Sequence, residues 1–251
     1  MFRFRSANPV FRRVHRYSHE AVGTTEAVSY KGVILKSTYL IALTAITALL
    51  VGFQVLVIGE ISPLVIGLIF TAPIVGIVCL LITMISRKPR PIASSIYALS
   101  QGAVLGLISA IYELTFGDGI VILAVMATFS VFFGMLFLFS TGLVQVTDML
   151  RRFLFMMLMG ILLSSLFYFL FVIISGTGYS IGFVFGITVL SVIVASLYLL
   201  VDFDNIQIAV QNGYPKSIEW KLSLGLLVTL IWLYIEILRL IAILRSRSGR
   251  R

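Results

Sequence analysis

Three acidic side chains stand at the edge of long apolar stretches of this sequence, or inside them. Asp202 and Asp204 follow directly on the uncharged run 181–201, and Glu236 lies within the next apolar run, in LIWLYIEILRLI. An ionisable group inside a membrane costs at least about 2.5 kcal/mol to insert, so it suggests a function. Two nearby carboxylates in a low dielectric hold one proton between them, and carboxylate oxygens are ligands that calcium prefers. The chemistry to expect is a proton-controlled cation site.

Helical spacing separates the first two acids by face. Tyr198 and Asn205 share the face of Asp202, whereas Asp204 points about 200° away from it. We therefore expect Asp204 to be a solvated cap and Asp202 to be the acid that faces other helices.

The third acid, Glu236, has a cation on its own face. Arg239 follows three residues later, so the two side chains can form an ion pair that serves only to let the helix insert.

The turn residues NGYP at 212–215 make the two runs antiparallel neighbours. Helix lengths of about 16 Å to Asp202 and about 21–23 Å to Glu236 then put both acids at similar depths. The candidate proton sensor, gate and calcium ligands are Asp202 and Glu236, and the candidate tuning residues are Arg239, Asn205 and Tyr198.

The composition of this chain is typical of a membrane protein. Hydrophobic residues make up 60% of its 251 residues and charged residues only 12%, against about 25% in soluble domains. The single cysteine, Cys79, lies in an apolar run, and the two histidines, His15 and His19, lie in a basic N-terminal segment. No histidine base, zinc motif or phosphate-binding loop is present, so we expect no enzyme and no cofactor apart from a calcium ion as permeant or ligand.

Seven apolar runs are each long enough to cross a hydrocarbon core of about 30 Å. They predict an all-α integral membrane bundle with a basic tail at 1–36, the bundle at 37–244 and a second basic tail at 245–251. The runs are 37–57, 61–85, 92–116, 119–140, 153–174, 180–201 and 222–244.

Lysine and arginine in the loops predict the orientation. The N-terminal tail and the second, fourth and sixth loops carry them, whereas the first, third and fifth loops carry none. Since positive loops stay in the cytoplasm, the N-terminus is expected there. The C-terminal Arg245, Arg247, Arg250 and Arg251 oppose this pattern, and seven spans are preferred to a last run that dips in and returns. The net charge of +9 thus indicates membrane orientation and contact with lipid, with no nucleic-acid partner.

Small residues recur at every fourth position of the third run. Ser94, Ala98, Gly102, Gly106 and Ala110 form one stripe, which allows neighbouring helix backbones to approach closely. We expect this stripe to be buried against other helices.

Several stretches of the sequence resemble the Bax inhibitor-1/YccA-like family in its bacterial branch. They are RSANPVFRR, PIASSIYALSQGAVLGLISAIYE, LVDFDNIQ and GLLVTLIWLYIEILRLI, and the resemblance runs from about residue 3 to residue 244. It implies six helices around a central seventh and a pH-sensitive calcium leak whose proton sensor is an acid pair on the sixth and seventh helices. Asp202 in VDFDNI and Glu236 in LYIEIL match that pair. The chain departs from the family in having Glu as the second acid, with Arg239 close by.

The resemblance leaves two classes of function open. The first is a pH-gated leak for calcium or other cations in a bacterial inner (plasma) membrane, with lipid, calcium ions and protons as its partners. The second is a non-conducting regulator of a membrane AAA protease or another membrane partner, for which the small-residue stripe would serve as an interface. A proton-coupled transporter would use the same acids.

The orientation can be tested by labelling. Single cysteines at Ser86 and Thr177 should react with a membrane-impermeant maleimide from opposite sides, because one loop is positively charged and the other is not. Reaction of both from the same side would contradict the predicted topology, and a cysteine at Ser248 would report the side on which the last helix ends.

Overall fold

The computed structural model of the chain describes residues 26–58, 63–86, 90–117, 119–176 and 180–248. Seven α-helices lie in these ranges, which confirms the all-helical fold class. Their bounds are α1 Tyr30–Ile58, α2 Pro63–Ile85, α3 Arg90–Phe116, α4 Ile120–Ser140, α5 Asp148–Ser175, α6 Ile181–Gln211 and α7 Ile218–Ser248.

Two helices extend well beyond the apolar runs that predicted them. α1 begins seven residues before its run, and α6 continues ten residues beyond its own, to Gln211. Hydropathy marks the part of a helix that lies in lipid, whereas the helix itself ends at turn residues such as Gly213, which has a positive φ of 61°. Asp202 therefore lies inside α6 and not at its end.

Several residues used for the orientation lie outside the described ranges. They are the tail before residue 26, Arg87 and Lys88 of the second loop, the labelling position Thr177, and Arg250 and Arg251. The orientation and the division into tails and bundle therefore stay predictions.

Six of the helices, α1 and α3 to α7, are long and apolar enough to cross a membrane by their length and composition. In α2 the corresponding apolar stretch, Thr71–Ile85, is shorter. Large apolar side chains such as Leu49, Phe137 and Phe167 are mostly exposed on the outer faces of the bundle. Such faces require lipid as their solvent, and the chain is a multi-pass membrane protein.

α7 occupies the centre of the bundle. It packs closely against α1, α2, α3, α4 and α6, whereas α5 has close helix–helix contact with α6 only, as far as the described residues show. Fully buried side chains such as Leu224, Leu233 and Leu238 lie along α7. Five helices thus surround α7, as expected. The sixth, α5, packs against α6 and, within the described ranges, not closely against α7.

The small-residue stripe of α3 faces α1. A Cβ added at Gly102 would lie 2.6 Å from the carbonyl oxygen of Thr44, and one added at Gly106 would overlap the carbonyl oxygen of Ala48. Ser94, Ala98 and Ala110 on the same face are also buried. The stripe is therefore an internal packing surface, as predicted.

Replacing Gly106 by alanine should destabilise the protein by about 1–3 kcal/mol, because the added methyl group forces the backbones of α1 and α3 apart. The matched control is Gly134→Ala in α4, where nothing lies within 4 Å of the added Cβ. That variant should be neutral or more stable by about 0.5–1 kcal/mol, since alanine favours a helix. Thermal unfolding in detergent measures both, and equal melting temperatures would contradict the close α1–α3 packing.

Candidate functional site

Asp202 contacts α7 through a hydroxyl group. The Oγ1 of Thr229 donates a hydrogen bond to Asp202 Oδ2 at 2.6 Å. Thr229 is buried and Asp202 is half-buried. One helical turn before Thr229, Gly225 also lies next to the carboxylate, since a Cβ added there would be in ordinary van der Waals contact with Asp202 Oδ1 at 4.0 Å. The residue of α7 that faces Asp202 is therefore Thr229, which the sequence did not single out as its partner.

Glu236 lies elsewhere along α7. It comes seven residues after Thr229, which corresponds to about 10.5 Å of helix rise. Its carboxylate accepts hydrogen bonds from Arg239 Nη1 at 3.2 and 3.4 Å. The ion pair that the spacing suggested is thus present.

The structure does not bring Asp202 and Glu236 together. Asp202 is nine residues, about 14 Å, from the end of α6 at Gln211, whereas Glu236 is eighteen residues, about 27 Å, from the start of α7 at Ile218. The expectation of similar depths assumed that α7 begins at residue 221, three residues later than its observed start at Ile218. The two acids remain candidates for proton sensing, but as separate sites.

Asp204 is not the solvated cap that was expected. Its carboxylate forms an ion pair with Arg151 at the start of α5, and Arg151 Nη1 also donates to Asn205 Oδ1 at 2.8 Å. This guanidinium lies close enough to Asp202 for an electrostatic interaction. One arginine of α5 therefore binds two neighbouring residues of α6 and supplies the positive charge beside the candidate sensor.

An aromatic pair lies between the levels of the two acids. The rings of Tyr198 and Trp232 meet edge to face with centroids 6.1 Å apart. Tyr198 precedes Asp202 by one helical turn, and Trp232 precedes Glu236 by one turn. Direct passage along the α6–α7 interface from one acid to the other would have to part these rings.

Polar groups continue along α6 past this pair. Thr188 and Ser191 are fully buried, and their hydroxyl oxygens have no hydrogen-bond partner among the described residues. Their spacing of fourteen and eleven residues from Asp202 keeps them on its helical face. We call this α6–α7 interface the polar seam, which consists of Thr188, Ser191, Tyr198, Asp202, Thr229, Trp232, Glu236 and Arg239.

The described residues contain no group of three or more His, Cys, Asp or Glu side chains that could hold a metal ion. A calcium ion takes six to eight oxygen ligands. Asp202 and Glu236 cannot supply a common cage at their observed positions, so a cation in the polar seam would meet one carboxylate at a time.

A buried carboxylate at the start of α7 was missed by the sequence analysis. Glu219 is fully buried and forms an ion pair with Lys36 of α1. It also accepts hydrogen bonds from the backbone nitrogen of Ser29 at 3.0 Å and from its Oγ at 3.2 Å. The first apolar run begins at residue 37, so Lys36 was expected in the basic tail and not in a helix. Glu219 therefore fastens the beginning of α1 to the beginning of α7.

The segment before α1 adds backbone contacts to this attachment. Val28 N donates to Tyr214 O at 2.7 Å, Lys216 N donates to Glu26 O at 2.9 Å, and the side chains of Lys216 and Glu26 form an ion pair. The hydrogen bond and charge of Lys216 hold the pKa of Glu26 below its ordinary value. This exposed pair is therefore intact at neutral pH and is lost as the pH falls through the carboxyl range.

Arg90 makes a second attachment at the same end of the bundle. It is buried, and its guanidinium donates to the carbonyl oxygens of Thr83 and Ser217, each at 3.2 Å. The sequence showed it only as a positive charge in a loop. It joins the end of α2 and the start of α3 to the loop before α7.

Comparison with known proteins adds the family. The family described as Bax inhibitor 1 like matches residues 8–246 of the chain. The search of curated proteins found no match to the chain.

Removing the hydroxyl group that faces Asp202 should destabilise the α6–α7 contact. Thr229→Val keeps the shape of the side chain and leaves Asp202 Oδ2 without its donor, at an expected cost of about 1–3 kcal/mol. The control is Thr128→Val, because the hydroxyl of that buried threonine bonds only to Ala124 O of its own helix. Melting temperatures in detergent should fall further for Thr229→Val, and an equal fall in both would contradict a stabilising contact to Asp202.

Proposed function

The chain belongs to the Bax inhibitor 1 like family, and from this premise we propose that it is a pH-sensitive leak for cations, calcium first among them, in a bacterial plasma membrane. The observation that supports the proposal is the contact of Asp202 with Thr229 inside the α6–α7 interface. Because an ionisable group is costly to place inside a membrane bundle, a carboxylate at that position supports a role for its charge or its proton.

The polar seam supplies the path in this proposal. Hydroxyl and carboxylate oxygens follow one another along α6 and α7, while the remaining buried faces of these helices are mostly apolar. Oxygen ligands suit a hard cation such as calcium. Because the acids occur singly, an ion would be held weakly at each site and could leave again, as conduction requires.

Asp202 is the proton-sensitive element of the path. When it is ionised it accepts the hydrogen bond of Thr229 and attracts a cation; when it is protonated it loses its charge and gains a donor. The charged groups that face it are Arg151 of α5 and the neighbouring Asp204, which neutralise each other. A change in pH therefore alters the α6–α7 contact at one carboxyl group.

Glu236 has a different part in this scheme. Arg239 already balances its charge, so that the pair lines the path without attracting a cation as strongly as Asp202 does. The protein is proposed to have no enzymatic activity, in line with the Bax inhibitor 1 like family to which the chain belongs.

The alternative of a non-conducting regulator has less support from the structure. The small-residue stripe of α3, which offered an interface for a partner, is occupied by α1. A purified protein that carries no cation in liposomes would nevertheless favour the regulator.

Flux through purified protein in liposomes, at two pH values about two units apart, tests the proposal. The ratio of calcium flux at the two values should fall to about twofold or less in Asp202→Asn, since the substitution removes the titrating group and keeps its shape.

The matched control is Asp148→Asn, which removes an exposed carboxylate from the first turn of α5. It should keep the wild-type ratio. An Asp202→Asn protein with the wild-type pH profile would show that Asp202 is not the sensor.

A further inference from the structure

A cavity of about 600 Å³ lies between α3, α5, α6 and α7, apart from Asp202. It exists because α5 packs closely against α6 and leaves a gap toward α7. All four helices are long and apolar enough to cross a membrane, and the lining residues Ser165 and Phe169 of α5 are exposed on the outer side of the bundle, so we infer that the gap opens toward lipid. Its volume is in the range of sites that hold a small ligand, about 300–1,000 Å³.

The cavity is aromatic on most sides and carries one charge. Its walls include Phe116 of α3, Tyr168 and Phe169 of α5, and Phe183 of α6. Arg239 is the only residue with a charged side chain among the described residues that line it. Apolar walls around a single guanidinium match a ligand that has a hydrocarbon body and one anionic group.

Arg239 has bonding capacity left for such a group. Its side chain is 39% exposed, and its bonds to Glu236 run through Nη1 only, at 3.2 and 3.4 Å. Charge-assisted bonds are normally about 2.7–2.9 Å long. Nε and Nη2 make no hydrogen bond within the described part of the chain and remain able to bind a phosphate oxygen.

A second polar group at the cavity is also without a partner. Thr188 lines the cavity, is fully buried, and its Oγ1 has no hydrogen bond to any described residue. A buried hydroxyl group without a partner costs about 1–3 kcal/mol, which a bound polar ligand or water would offset.

The depth of Arg239 suits a lipid headgroup. Arg245 donates to the carbonyl oxygens of Phe116 and Gly117, so the end of α3 is level with Arg245. Arg239 lies six residues earlier on α7, about 9 Å inward. An arginine at this depth extends its guanidinium toward the headgroup level while its stem stays in the apolar region.

We propose that this cavity binds one anionic phospholipid of the surrounding bilayer, with its phosphate group on Arg239 and an acyl chain between the aromatic walls. The cavity shares Thr188 and Arg239 with the polar seam, but binding of the lipid is proposed from the cavity alone and does not require that ions be conducted. A free anion is disfavoured because it would leave the aromatic walls without an apolar partner.

Native mass spectrometry of the purified chain, titrated with phosphatidylglycerol or phosphatidylcholine, tests the site. We expect one phosphatidylglycerol per chain, bound about tenfold more tightly than phosphatidylcholine. Arg239→Gln should weaken phosphatidylglycerol at least about tenfold by removing the cation. Ser165→Trp should abolish retention by filling the cavity from the exposed face of α5.

The matched control is Lys31→Gln, which removes one exposed positive charge at the beginning of α1, and it should bind as the wild type does. If Arg239→Gln fails to fold, Ser165→Trp alone decides the matter. Wild-type retention in Ser165→Trp, or equal affinity for both lipids, would overturn the proposal. Displacement of the lipid by millimolar inorganic phosphate would instead indicate a site for free anions and would equally overturn it.

Discussion

The hydrocarbon core of a membrane offers no hydrogen bonds, so the polar side chains that α7 carries into the interior of the bundle need partners within the protein. Three of them find it on three different helices. Glu219 binds Lys36 of α1, Thr229 binds Asp202 of α6, and Arg245 binds carbonyl oxygens at the end of α3. Apolar packing alone would allow a helix to rotate or slide at little cost. These contacts fix both the rotation and the depth of the central helix, and every neighbour is positioned against it.

Asp202 shows how such a contact can be both structural and responsive. Its hydrogen bond with Thr229 joins α6 to α7 within the polar seam, and in the proposed function the protonation of this one carboxyl group alters the contact between the two helices. The nearby ion pair of Arg151 and Asp204 prevents neighbouring charges from accumulating. A single acid in a balanced surrounding binds an ion less strongly than an acid pair would, and the proposed cation leak requires such weak binding.

The sequence predicted the helices, the membrane setting and the burial of the Gly102 and Gly106 face, because these depend on local composition and on period. It also predicted that Asp202 would face another helix. It did not identify Thr229 as the partner, because the register between two antiparallel helices depends on where the turn ends, and an error of three residues shifts a side chain by about 5 Å. Threonine gives no hydropathy signal of its own. Glu219 was missed for a related reason, since its partner Lys36 is more than 180 residues away in the sequence.

The attachment of Glu219 to Lys36 has a consequence for the order in which the protein is assembled. Of the seven helices, α1 is synthesised first and α7 last. Lys36 can therefore form its ion pair, and the segment before α1 its backbone hydrogen bonds, only after nearly all of the other helices have been made. Until then Lys36 lacks its counterion Glu219, and α1 can pack against α3 but not yet against α7. The bundle is therefore closed by its last element, and a nascent chain that stops short of α7 would present an open, unpaired first helix to the quality-control machinery of the membrane.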